Sequence, residues 1–368
     1  RDIGLSDPER RIGLSAHDFA QLAATPVVLL TRSKSRDGAP TKPSRWLARL
    51  DATLAAADMP ALDAPKPIDY ATWAERLDPE LILEEAPPPA PKPPIDARPR
   101  SLSATRIETL RDDPYAVYAR YVLGLVKLNA LDPPLNAADR GSIVHAAFEG
   151  FLRKWPETLP DDVAGELQAA ADAAFAEYLT DPAIAAFWRP AFDRAAHWAA
   201  KAERARREDL AVVRVHAEVQ GEAQFAAPYA PFRFRARADR VDELADGRLG
   251  IVDIKTGQPP TLKGLRTGEA PQLPLEAAIA LRAGFGPVSA RPAAELAVWR
   301  LTARGDGKIV AISDNEVATA ADLVWEKATG LVAAFDDAAT PYLSEPRKKA
   351  RYSDYRALAR VADEADDA

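Results

Sequence analysis

The stretch Phe232–Gly257, FRFRARADRVDELADGRLGIVDIKTG, leaves its chain little freedom: it reads as two strands joined by a tight turn. Asp246-Gly247 is a strong hairpin-turn dipeptide, and apolar and β-branched residues flank it on both sides. An antiparallel hairpin centred on Asp246 sets Asp239 opposite Asp253, each seven residues from the centre. Directly opposed residues carry Cβ atoms about 5 Å apart. Two carboxylates that close repel, so a cation or a shared proton is expected between them. The two-residue alternation returns Lys255 to the face of Asp253. Ile251, Val252 and Ile254 mark the second strand as central and largely buried, where a charge is costly unless paired or bound to metal. A D…DxK hairpin of this kind points to metal-dependent phosphodiester hydrolysis.

The 368 residues suffice for two modest domains or one large domain with extensions, and 47% hydrophobic with 28% charged residues is ordinary for a globular protein. No run approaches the ~18–20 apolar residues of a membrane span, and no signal peptide opens the chain. It begins at Arg1 and its only methionine is Met59, so it reads as a piece of a longer product. There are no cysteines, which excludes disulfides, thiolate zinc sites and cysteine-ligated iron–sulfur clusters within the chain and fits a reducing cytoplasm. The net charge of −7 offers no global attraction for nucleic acid, so binding would use local basic patches or metal ions.

Along the chain, Ser15–Ala24 reads as a short helix capped by Ser15, with Asp18 placed for a capping box, and Pro26–Lys34 as a buried strand running into a basic face. Two helical stretches are expected between Leu54 and Leu83. Pro87–Pro99 holds seven prolines in thirteen residues and should form a stiff, extended spacer. Helices are expected over Ser103–Leu128 with a break at Pro114, over Ala138–Trp155, and over Asp161–Arg207 with breaks at Pro182 and Pro190. Strands follow at Ala211–Gln220, Phe232–Asp242 and Leu249–Lys255. A helix at Gln272–Ala283, a strand at Glu295–Thr302 and a closing helix at Asn315–Ala334 complete an α/β or α+β core with a helical flank.

Beyond the hairpin, His145 lies on a helix beginning Arg140-Gly141-Ser142, with Glu149 one turn further on the same face. Glu218 ends the strand before the hairpin, and Gln272 opens a helix with Glu276 at i+4. Singly, each is a common surface or structural residue. The set GxxxH, a strand-borne glutamate, D…DIKTG and a glutamine on the next helix resembles the RecB-type branch of the PD-(D/E)xK nuclease superfamily. APQLPLEAAIA at Ala270–Ala280, LSATRIETL at Leu102–Leu110 and RYSDYRALARV near the C-terminus are similar to the AddB subunit family of the AddAB helicase–nucleases. ERRIGLSAHDFAQLA, VVLLTRSKSRDGAP and SRWL within residues 1–50 look like the last part of that family's helicase-type region.

The resemblance implies an α/β fold: a PD-(D/E)xK core of a mixed central sheet with flanking helices, plus a helical flank and an N-terminal remnant of a helicase-type domain. It divides the chain into the end of the helicase-type domain (1–56), a helical then proline-rich linker (57–100), the nuclease domain (101–345) and a tail (346–368). It makes His145, Asp239, Asp253 and the backbone carbonyl of Ile254 metal ligands. Lys255 would contact the attacking water or the scissile phosphate, Gln272 would hold the site or the strand, and Glu218 and Glu149 are accessory acids. Mg²⁺ wants hard oxygen ligands, and a histidine suits Mn²⁺ at least as well. The expected activity is exonuclease-type hydrolysis of one DNA strand, the 5′-ended one, beside an AddA-type helicase–nuclease partner in the cytoplasm, at the nucleoid. The alternative is a non-catalytic scaffold that binds DNA or AddA. Two features depart from the family pattern. The cysteine expected before Pro114-Tyr115 is Asp113, so no iron–sulfur cluster is expected, and Glu276 stands where the wider superfamily often has tyrosine. With no GxxxxGK[ST] loop, the chain by itself is not expected to hydrolyse ATP.

Overall fold

A computed structural model describes residues 8–62, 70–77, 87–128, 131, 135–182, 184–302, 304, 306–344 and 353–361. The chain divides into two compact units, residues 1–85 and 86–368.

In the first unit, α1 (Pro8–Ala23) is followed by a two-stranded ribbon of β1 (Ser35–Arg36) and β2 (Ala39–Pro40), then α2 (Arg45–Ala56) and α3 (Tyr70–Leu77). Ser44 caps α2 by accepting the Trp46 N–H at 3.3 Å. Two expectations fail here. Ser15 lies inside α1 instead of opening it. Pro26–Lys34 forms no strand, and Val27, Val28, Leu29 and Leu30 are exposed. A strand needs a neighbour for its backbone groups, and among the described residues only Lys34, at the foot of the β1–β2 ribbon, has a backbone one, the Thr41 N–H at 2.9 Å.

The second unit holds a six-stranded mixed sheet between two helical layers. Its elements are β3 (Ser101–Ser103), α4 (Ala104–Asp112), α5 (Pro114–Val117), α6 (Ala137–Lys154), α7 (Val163–Phe175), α8 (Arg189–Asp209), β4 (Val212–Phe225), β5 (Phe232–Leu244), β6 (Leu249–Lys255), α9 (Leu262–Thr267), α10 (Gln272–Arg282), β7 (Ala293–Leu301), β8 (Gly307–Ser313) and α11 (Asn315–Phe335). The order runs β3-β5-β6-β7-β8, with β4 on the other side of β5. The expected helices at 138–155, 272–283 and 315–334 and the hairpin strands are present. Pro190 stands in the first turn of α8, where its missing N–H costs nothing, directly after a π-helical turn at Ile184–Trp188, so the expected break falls at this junction.

One face of the sheet packs on α4, α10 and α11, burying Phe234, Val241, Ile251, Leu275, Leu296 and Val324. The other packs on α6, α7 and α8, burying Phe148, Phe175, Phe192, Val215 and Ile254. An ionic network seals α8 to the sheet. Arg240, 1% exposed, pairs with Glu203 of α8 and, at 2.7 Å, with Asp242. Arg206 pairs with Asp242 at 2.7 Å and with Glu295, and Arg207 pairs with Glu203 at 2.7 Å. Burial opposes the charge on Asp242, but Arg240 and Arg206 outweigh it and hold its carboxyl below the usual range.

The proline-rich stretch is fastened to this unit rather than free along its length. The Pro91 carbonyl accepts from Tyr342 N–H at 2.9 Å. Buried Arg98 donates to the carbonyls of Pro93, Phe335, Asp337 and Ala338. Arg98 thereby satisfies carbonyls at the end of α11 that no helical N–H can reach.

Candidate metal centre

The register of the β5–β6 hairpin is the expected one: Arg240 pairs with Val252, Val241 with Ile251 and Asp242 with Gly250. Carried one step further, that register sets Asp239 against Asp253. There the backbone ladder stops, and the Ile254 N–H donates to the Asp239 carboxylate, Oδ2, at 2.8 Å. On its other side β5 pairs with β4, Ala217 against Arg240 and Val219 against Ala238, which places Glu218 opposite Asp239. Three carboxylates therefore stand in one row across three strands spaced about 4.8 Å apart.

Local backbone geometry explains the position of the row. Glu218 has φ 54°, the left-handed region that non-glycine residues rarely adopt. Val215 and Ala217 before it pack under the helical flank, whereas Ala223 beyond it packs in the opposite core. In β5, Ala238 and Val241 lie in the same core although three residues apart. Both strands thus turn over at this level. The same level is a notch in the sheet: along one edge of β5, β3 pairs with Arg233–Arg235 and β6 with Arg240–Glu243, leaving residues 236–239 between them.

Helix α6 brings His145 to the row. Asn136 and Asp139 form a capping box at its start. Arg140 Nη2 donates to the Thr256 carbonyl at 3.3 Å, tying the first turn to the end of β6. A Cβ on Gly141 would meet only Thr256 Oγ1 at 3.6 Å, so close packing does not demand glycine there. His145 Nδ1 lies 3.3 Å from Asp239 Oδ1 and 3.7 Å from Glu218 Oε1. Burial lowers the pKa of this imidazole, but the hydrogen bonds and charges of Asp239 and Glu218 outweigh it and hold the group up at about 10. The row thus attracts positive charge.

Deeper in the site, Asp253 is 3% exposed. Its Oδ1 takes the Lys255 ammonium at 2.8 Å and Gln272 Nε2 at 3.0 Å. Lys255 also donates to Gln272 Oε1 at 3.3 Å, and Gln272 Nε2 reaches Glu276 Oε1 at 3.3 Å. Burial, then the charges of Asp253 and Asp239, push Glu276 well above the ordinary carboxylate range. Burial also raises Asp253, against the pull of Lys255. Burial lowers Lys255, but Asp253 outweighs it and keeps the lysine a cation.

His145, Glu218 and Asp239 offer one imidazole nitrogen and two carboxylate oxygens, all within 4.8 Å of one another and partly open to solvent. Adjacent ligands of an octahedral Mg²⁺ at 2.0–2.1 Å lie about 3 Å apart, and Mn²⁺ accepts the imidazole, so the donor set fits a hard divalent ion. Glu218, expected as an accessory, falls inside this group. Asp253 stands beside it, held by Lys255 and Gln272. The Ile254 group that meets Asp239 is its N–H. Glu149 pairs with Arg153 at 2.7 Å, and the structure does not bring it into the cluster. Glu276 emerges as the buried support of Gln272; its sequence signal was the i+4 spacing on one helix.

The family model of the PD-(D/E)XK nuclease superfamily matches residues 101–357. The chain belongs to that superfamily. An uncharacterised protein of Rickettsia conorii is 26% identical over 191 residues, 51% of this chain and 23% of its own length. ATP-dependent helicase/deoxyribonuclease subunits B are also similar. The one of Streptococcus mutans is 29% identical over 186 residues, 49% of this chain and 16% of its own; that of Streptococcus uberis is 26% identical, over 50% and 16%. The chain thus spans a quarter or less of the length of these relatives. The crystal structure of SSO0001 aligns with 78% of this chain and 92% of its own at 10% identity, and its TM-score of 0.31 is too low to support an argument. PD-(D/E)XK nucleases use divalent metals, which agrees with the donor set of the carboxylate row. No helix among the described residues is long and apolar enough to cross a membrane.

Proposed function

We propose that this chain is the nuclease module of an AddB-type subunit, hydrolysing phosphodiester bonds in one DNA strand with Mg²⁺ or Mn²⁺. The observation that carries the reading is the row Glu218–Asp239–Asp253 flanked by His145, with the Lys255 cation on the same side. The similarity of half the chain to helicase/deoxyribonuclease subunits B supports the AddB assignment, the AddA-type partner and a cytoplasmic setting.

His145, Glu218 and Asp239 would hold the ion, with Asp253 completing the acidic wall. When bound, such an ion lowers the pKa of its water and offsets charge on the phosphoryl oxygens. The protein's own part is orientation and charge. Glu276 accepts one Gln272 N–H; Gln272 donates its other to Asp253 and accepts from Lys255. That chain fixes the Lys255 ammonium beside the reacting phosphate, where a desolvated positive charge stabilises the developing negative charge.

The test is cleavage of end-labelled single-stranded DNA in Mg²⁺ or Mn²⁺, comparing wild type with Lys255→Ala. Metal-dependent cleavage is expected, with the variant slower by roughly 10²-fold or more. The Lys255 side chain is 37% exposed, so its truncation should leave folding intact. Equal rates would remove the lysine from the chemistry. A wild type inert even with an AddA-type subunit and ATP would point to the scaffold.

A further inference from the structure

Arg233, Arg235 and Arg237 are exposed along β5, alternate with buried Phe234 and Ala236, and end at Asp239 on the same face. Across the ladder from them on β4 stand Gln224, Glu222 and Gln220, all exposed. On the other edge of β5, parallel pairing sets Ser101 beside Arg233 and Ser103 beside Arg235. The reverse face of these strands, with Leu102, Ala223, Phe232 and Phe234, is buried in the core. This end of the sheet is therefore covered on one side only, whereas beyond the turnover at Asp239 the outer face is sealed by α8 through Glu203 and Arg206.

An ordinary solvated sheet face would match these arginines with acids. Here the three facing positions supply one acid. Arg233 reaches it loosely, at 3.7 Å from Glu222. Arg237 leans on Glu218 at 2.6 Å, which joins the stripe directly to the carboxylate row. Arg235 has no ion-pair partner among the described residues and borders an open depression of about 410 Å³ shared with Ser103, Glu222 and Arg237. A positive stripe on a chain of net charge −7, leading to a site for phosphodiesters, has an evident counterpart.

We propose that this face is the track along which a single DNA strand reaches the site, its phosphates carried by Arg233, Arg235 and Arg237. The inference rests on the nuclease reading of the site. Arginines two residues apart along a strand are rooted about 7 Å apart, so each serves a separate phosphate of an extended backbone. The guanidinium fork binds phosphate oxygens in pairs, and the neighbouring serines and glutamines add hydrogen bonds to phosphate and sugar. Such contacts position a strand without reading its bases. Arg237, which leans on Glu218, would be the phosphate contact nearest the reacting bond.

The experiment is fluorescence anisotropy of a dye-labelled single-stranded oligothymidylate binding this chain in EDTA over a salt series, beside the cleavage assay. Removal of one phosphate contact lowers the slope of log affinity against log salt by about 0.7 for a single strand and weakens binding roughly threefold at moderate salt. Arg235→Ala is expected to do this, the Arg233→Ala, Arg235→Ala pair about twice as much on the slope, and Arg235→Lys hardly at all. Glu222→Gln should tighten binding, a gain that misfolding cannot produce. If wild type binds and cuts the strand while the double variant keeps affinity and slope, the track is wrong and the nuclease reading stands. If wild type neither binds nor cuts, even with an AddA-type subunit and ATP, both fall.

Discussion

Asp253→Asn is expected to lower cleavage of single-stranded DNA by on the order of 10³-fold while leaving the fold intact. The substitution keeps the shape of the side chain and removes the charge at the buried end of the row. Lys255 loses its 2.8 Å partner, and the acidic wall beside His145 and Asp239 loses one member. Stability should hold or improve, because burial already penalises this charge and pushes the group above its usual range. Steady-state cleavage with thermal melting of the same protein checks both halves. A rate within tenfold of wild type would take Asp253 out of the reaction, and a collapsed melting transition would make it a structural residue.

The largest effect on stability is expected away from the site, at Glu203→Ala. Glu203 is 2% exposed and pairs with both Arg240 and Arg207. Its loss leaves Arg207 without its carboxylate and Arg240, 1% exposed over the Trp299 ring at 5.5 Å, with Asp242 alone. Breaking a buried pair from one side costs about 3–5 kcal/mol, because the remaining charge stays desolvated. In a unit of this size each kcal/mol is about 2–4 °C, so the midpoint should fall by roughly 6–20 °C. Replacing Arg207 with methionine in the same background should recover part of the loss, since the cation left without a carboxylate is then gone. Failure of that rescue would mean that Glu203 stabilises by packing and not by charge.

The site was legible where a local rule fixes geometry. Asp246-Gly247 sets the centre of the hairpin, and from the centre the opposition of Asp239 and Asp253 follows by counting. The placement of Glu218 was not readable in that way. Six residues, 226–231, separate β4 from β5 without a dipeptide that defines their register, and the expected strand stopped at Gln220 where the real one continues to Phe225. The turnover at Glu218, which puts its carboxylate beside His145, is a backbone conformation no alternation pattern encodes. His145 was readable as a helix face only; its distance to the row depends on how α6 is docked through Arg140 and Thr256.

Elsewhere, long periodic helices and apolar strands were found and short or context-dependent elements were not. β8 (GKIVAIS) is brief, and α9 (LKGLRT) is a single capped stretch of six residues containing a glycine. In Pro26–Lys34 the apolar run has the composition of a strand, but among the described residues the ribbon's pairing reaches only Lys34. The proline-rich stretch read as a spacer because composition describes its backbone, whereas the buried Arg98 that fastens it depends on carbonyls some 240 residues away.

The most direct measurement of the central claim is anomalous diffraction at the manganese edge from crystals of this chain soaked in Mn²⁺. A peak is expected among His145 Nδ1, Glu218 and Asp239, adjoining Asp253, and should vanish in Asp239→Asn. A strong peak away from this row, or one that survives that substitution unchanged, would contradict it.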